Sequence, residues 1–169
     1  MPSRFVSDEL VIIFEKVMDG VSLSALQRFA RKAQRFARVK GEIAILVTSR
    51  RKVQELNRRF RRKDKPTDVL SFPSGTGGDI AICAEIARQN ARQLGHTLTD
   101  EIKVLMLHGM LHLAGYDHET DSGEMAAFEA RLRSRLNLPL SLIERSQPAG
   151  SETRRVSETS RKTAHGCRR

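Results

Sequence analysis

The segment HGMLHLAGYDH, residues 108–118, holds three of the chain's 5 histidines. His108 and His112 stand four positions apart, a step that on a helix brings both side chains to one face, with β-carbons about 5–6 Å apart. Two imidazoles so placed can share one zinc ion at about 2.0–2.1 Å each. Gly115 can end that helix in the left-handed conformation, which would let His118 fold back towards the same ion. Three neutral imidazoles leave a fourth tetrahedral position for water, the pattern of a catalytic zinc site rather than a closed structural one. Water on zinc ionises near neutral pH, so such a site supplies its own nucleophile. The expectation is one Zn2+ held by His108, His112 and His118 in a metal-dependent hydrolase. A lone histidine on an apolar helix is ordinarily a hydrogen-bonded core residue, but several buried imidazoles without a shared partner would be costly to desolvate. His96 falls in an expected loop and His165 in an expected tail, and neither is assigned a role.

The spacing HxxxHxxGxxH also matches the zinc-peptidase pattern, with Gly115 at its glycine. In that pattern a glutamate follows the first histidine as general base. Here Gly109 stands there, and it can move no proton. A peptidase or amidase would need a carboxylate from elsewhere, and the candidates Glu85 and Glu101 are placed by no motif. Charge points to a different substrate. Lys and Arg number 30 against 20 Asp and Glu, a net charge of +10 that favours a polyanionic partner, nucleic acid first. The run RRFRRK at 58–63 concentrates five of those cations next to a turn. Asp117 can orient a ligand histidine as a hydrogen-bond acceptor or equally serve a turn, whereas Asp68 and Ser71 suit the hydrogen bonds of a strand.

These residues need a scaffold. LVIIFEKV at 10–17 reads as a strand. Ser22 or Ser24 caps a helix running to about Val39, whose outer face carries Arg28, Arg31, Lys32, Arg35 and Arg38, a solvated basic stripe. EIAILVT at 42–48 is a second strand, and Ser49 caps a second helix ending near Phe60, with Val53, Leu56 and Phe60 turned inward. A basic loop leads to a strand at 68–72, then PSGTGG as a flexible connection, a strand at 79–84 and a helix at 85–93. The helix at 99–113 is apolar on more than one face and belongs deep in the core. A last helix runs from Asp121 or Ser122 to Leu136. The order indicates one α/β domain over residues 1–144, a small mixed sheet of about four strands packed by helices, with the histidine-bearing helix central. Residues 145–169 are almost free of apolar side chains and are expected to be a disordered basic tail. From Ser146 the tail holds six basic residues against two acidic ones, which leaves +6 of the +10 for the rest of the chain.

Cys83 and Cys167 make no disulfide framework, which suits a reducing compartment. The N-terminus is a poor secretory signal, and no apolar run reaches the about 20 residues that span a bilayer. A cytoplasmic protein with no membrane partner is expected.

The string HGMLHLAGYDHE, together with LNRRFRRKDKPTDVLSFP at 56–73 and GGDIAICAEIA at 77–87, closely resembles the YbeY-type bacterial endoribonucleases of ribosomal RNA maturation. The resemblance spans about Gly41 to Pro139. It implies a zinc-dependent, single-strand-specific endoribonuclease acting in 16S rRNA 3′-end maturation and ribosome quality control, with ribosomal RNA and the small subunit and its proteins as partners and no DNA substrate. It assigns His108, His112 and His118 as metal ligands and Arg61 as the functional basic residue. The residues alone do not choose Arg61 over Arg58, Arg59 or Arg62. A guanidinium suits the role, because phosphodiester cleavage builds charge on oxygens that it can hold in pairs. Phe60 stands where that family has tyrosine, which keeps the packing and loses a hydroxyl. The other readings are a zinc peptidase or amidase, and a ribosome assembly factor whose zinc is mainly structural.

Overall fold

The computed structural model describes residues 9–139. The expected domain boundary at 144, the tail at 145–169, His165 and Cys167 lie outside the described residues.

Four strands and five helices follow in the order β1 (Leu10–Phe14), α1 (Leu23–Ala37), β2 (Ile43–Thr48), α2 (Arg50–Arg61), β3 (Val69–Ser74), β4 (Gly77–Cys83), α3 (Ala84–Leu94), α4 (Leu98–Leu113) and α5 (Glu124–Leu136). The architecture is a single α/β domain with one mixed sheet of strand order β1-β2-β4-β3. β1 and β4 flank β2 in parallel, while β3 closes the edge antiparallel to β4. Alternation along the strands sends Leu10, Ile12, Ile43, Ile45, Ile80 and Ile82 into one core. The opposite face sends Leu70, Ala81 and Cys83 against Val53 of α2 in a smaller second cluster.

α4 is the centre of the larger core and lies against β3 and β4, with α1, α3 and α5 also packed on it. Ile102, Val104, Leu105, Met106, Leu107, Met110 and Leu111 are all fully buried. Each such side chain contributes about 1.5–3 kcal/mol of transfer free energy, enough to fix the helix that carries His108 and His112. Its start is set by Thr97, whose hydroxyl accepts from the Asp100 N–H at 3.0 Å, and by Asp100 and Glu101 in the first turn, where acids complement the helix dipole. α1 and α2 begin in the same way at Ser22 and Ser49. The basic stripe of α1 is exposed: Arg28, Arg31, Lys32, Arg35 and Arg38 face solvent.

Four expectations need correction. PSGTGG is not a flexible connection: Ser74 pairs with Gly77 across a two-residue hairpin. Gly75, at φ +60, takes the left-handed first position that such a tight turn requires. The alternating pattern was too short there to register as paired strand. Phe60 does not point inward. It is 57% exposed, with its ring 5.1 Å from that of Phe72, edge-on. The first strand stops at Phe14, because Glu15 turns its carboxylate to the Thr48 hydroxyl and the Ser49 N–H. α5 also starts later than expected, at Glu124. Asp121 still caps it from outside, accepting from the N–H groups of Gly123 and Met125, both at 2.8 Å.

Candidate metal centre

His108 and His112 sit one turn apart near the C-terminal end of α4, which ends at Leu113. Beyond it Gly115 adopts φ +92, and the Tyr116 N–H bonds the Leu111 carbonyl at 3.1 Å. The chain thereby reverses and returns His118 to the helix face. Ring centroids of the three imidazoles lie 4.8, 5.2 and 5.2 Å apart. One nitrogen from each lies within 4.8 Å of the other two. The sequence-predicted triad is thus brought together.

These residues fit a metal ion. Glu129 of α5, fully buried, takes His108 Nδ1 at 3.0 Å. That bond fixes the proton on Nδ1 and leaves the Nε2 lone pair for the centre. His108 Nε2 and His112 Nε2 face one another at 3.1 Å. Two nitrogens bound to one tetrahedral zinc at about 2.0–2.1 Å would stand about 3.3 Å apart. The Nδ1 of His118 is buried and finds no hydrogen-bond partner among the described residues. Burial, then repulsion from His108 and His118, pushes the His112 imidazole down to about 4. It is therefore neutral at physiological pH, the form in which histidine ligates.

The centre opens into a cleft of about 480 Å³ lined by Arg61, Lys63, Ser71, Tyr116, Asp117 and Glu119 among others. Arg61, the last residue of α2, thus shares a cavity with His112 and His118, whereas Arg58, Arg59 and Arg62 do not line it. Asp117 serves its turn. Its carboxylate accepts from the Glu119 N–H at 3.1 Å and the Thr120 hydroxyl at 3.2 Å, and the first of these holds its pKa below the ordinary carboxylate value. Orientation of a histidine falls to Glu129 instead, a residue the sequence reading missed. Twenty-one positions separate it from His108, and no local spacing signals the contact.

The structure also explains Gly109. A β-carbon there would stand 2.9 Å from Ile80 Cγ2 and 3.2 Å from Ser71 Oγ. Ser71 donates to the Gly109 carbonyl at 3.2 Å, tying β3 to the helix beside the histidines. The position of the protease glutamate is filled by the sheet. Of the alternative bases, Glu101 is buried against His96 at 2.7 Å and Asn90 at 3.1 Å. Glu85 accepts from the Arg50 N–H at 2.9 Å. Neither lines the cleft. His96 lies in the loop between α3 and α4, as expected, and is the partly buried partner of Glu101. Asp68 accepts from the Val69 N–H at 2.9 Å, as a strand-serving residue should.

The sequence model of the family described as Endoribonuclease YbeY matches residues 12–137. The chain belongs to the YbeY endoribonuclease family. Among its relatives, the Endoribonuclease YbeY of Koribacter versatilis (strain Ellin345) is 52% identical over 149 residues, 86% of this chain and 98% of that protein. The Endoribonuclease YbeY of Solibacter usitatus (strain Ellin6076) is 47% identical over 138 residues, 80% of this chain and 94% of the relative. The solution structure of a Thermotoga maritima protein matches with a TM-score of 0.51 and 28% identity, covering 76% of this chain and 87% of that one. The YbeY match runs from within β1 to the end of α5 and takes in every element carrying the cleft, from α2 to the turn after α4. No helix among the described residues of this YbeY-family chain is long and apolar enough to cross a membrane.

Proposed function

We propose that the chain is a zinc-dependent, single-strand-specific endoribonuclease of the bacterial cytoplasm, acting on ribosomal RNA in 16S rRNA 3′-end maturation and ribosome quality control. The observation that carries the reading is the open three-histidine centre with Arg61 in the wall of its cleft. His108, His112 and His118 would hold the ion, and three imidazoles with an open fourth position suit zinc. A bound zinc would supply a Lewis acid for a phosphoryl oxygen and an activated water.

The protein's own residues do the rest. Glu129 keeps the His108 proton on Nδ1 and locks the ring, which raises its strength as a ligand. Arg61 would bring a permanently charged fork to the developing phosphoryl charge, and a donor at such a charge is worth about 2.7–4 kcal/mol in the transition state. The cleft, about 480 Å³, is of small-molecule size. A cleft of that size would take a splayed nucleotide more readily than a stacked duplex, the physical basis of the proposed single-strand preference. Gly109, closed in by Ile80 and Ser71, removes the peptidase base, so the histidine spacing does not carry peptide hydrolysis.

The test compares a single-stranded RNA, the same sequence as a duplex, and an unstructured peptide, each incubated with zinc-loaded protein. Cleavage of the single strand alone is expected. Peptide cleavage without RNA cleavage would replace this reading with the peptidase one. In cells, loss of the protein is expected to leave 16S rRNA with an unprocessed 3′ end. Unchanged 16S ends would remove the ribosomal assignment.

A further inference from the structure

The cleft has two cations in its wall. Besides Arg61 it is lined by Lys63, while Arg62 between them is not part of its surface. This in–out–in arrangement follows from the end of α2. Arg62 takes the left-handed conformation, φ 57, and its N–H bonds the Arg58 carbonyl at 3.2 Å. The chain then turns back, and the Lys63 N–H reaches the Asn57 carbonyl at 3.3 Å. Asn57 is 3% exposed, and its side-chain amide donates to the Lys65 carbonyl at 2.7 Å. Gln54 ties down the same loop by donating to Asp64 at 3.1 Å. A buried asparagine and a helix cap therefore fix the backbone on both sides of Lys63, so its exposed side chain starts from a defined place in the cleft wall.

We propose that Lys63 forms a second anion subsite in this cleft, taking an RNA phosphate next to the scissile one while Arg61 serves the scissile phosphoryl group. The inference rests on the endoribonuclease reading of the site. The two side chains suit different tasks. Arginine offers a rigid planar fork matched to two oxygens of one phosphoryl group. Lysine is a compact charge on a flexible stem, which holds a phosphate without demanding one geometry. Contacts to neighbouring phosphates set the register of a strand and carry no sequence information. Lys63 therefore acts on binding and register, Arg61 on the reacting group.

The experiment measures binding of a short fluorescein-labelled single-stranded RNA to full-length, metal-free protein by anisotropy across a salt series. Steady-state cleavage by the zinc-loaded protein is measured alongside. Lys63→Ala is expected to flatten the slope of log K against log salt by about 0.7, the share of one phosphate on a single strand. It should raise KM several-fold and leave kcat within a factor of two, and Lys63→Arg should restore both. Arg62→Gly, which removes the neighbouring charge outside the cleft, should leave the slope unchanged. An equal loss of slope in Arg62→Gly would mean a generic basic surface and would overturn the subsite. So would a fall in kcat at constant KM in Lys63→Ala, or an unchanged slope. Wild-type protein that binds with steep salt dependence while Lys63→Ala behaves identically sinks the Lys63 subsite alone. Wild-type protein that neither binds nor cleaves single-stranded RNA sinks the endoribonuclease reading with it.

Discussion

At the scale of single residues, the centre depends on what each imidazole is given to do. Glu129 acts on His108 through one hydrogen bond at 3.0 Å. Glu129→Gln should weaken zinc binding about 10–100-fold, read by competition with a chromogenic chelator. An unchanged affinity would mean that the contact does not orient the ligand. Gly109 faces the opposite constraint. Its missing side chain leaves room for Ile80 and Ser71, so Gly109→Ala should lower stability by about 1–3 kcal/mol through overpacking, measured by urea unfolding. The histidines were legible because ligand type and a four-residue step express the helix directly. Glu129 was not, since its partner is reached only through the packing of α5 on α4. Asp117 left two roles open in the sequence, and the turn took it.

At the scale of elements, helix ends explain most of what positions the site. Arg62 occupies a left-handed cap usually given to glycine. Arg62→Gly should therefore raise stability by about 1 kcal/mol. Thermal melts check this, and a loss of stability would show that the arginine side chain holds the loop. Across the sheet, Glu15 links β1 to the start of α2. The Thr48 hydroxyl first, then the Ser49 N–H, holds its carboxyl below the ordinary 4.5. A depressed carboxyl contributes stability above its unfolded value and loses it as pH falls through the folded one. Glu15→Gln should thus lower stability at neutral pH and flatten the acid limb below about pH 4.5, so that variant and wild type converge at low pH. The order of strands and helices could be read from hydrophobic period and capping serines. The hairpin at 74–77 could not, because Gly and Ser in PSGTGG suggest a loop until the antiparallel partner is known. The exposure of Phe60 was hidden for a similar reason. Its helical phase points towards the sheet, but α2 packs on the Leu70 and Ala81 end.

At the scale of the whole molecule, a metal would pin the turn after α4 back onto that helix, beside the Glu129 contact from α5, so it should also report on folding. A ligand at about a hundredfold excess over its Kd adds about 2.7 kcal/mol to the native state. For a chain of this size that corresponds to about 5–10 °C in Tm. Chelation should lower Tm by that amount in wild-type protein and by much less in His112→Ala. The net charge of +10 sets how the molecule meets a polyanion, and the cleft decides what happens there. The central claim is that this one cleft holds a metal on three histidines and cleaves single-stranded RNA with the help of Arg61. The most direct measurement is metal content by mass spectrometry alongside single-stranded RNA cleavage for wild type, His112→Ala and Arg61→Ala. The account predicts about one zinc and cleavage in wild type, neither in His112→Ala, and full metal with cleavage reduced about 100-fold or more in Arg61→Ala. Fully metallated wild-type protein that leaves single-stranded RNA intact would contradict it.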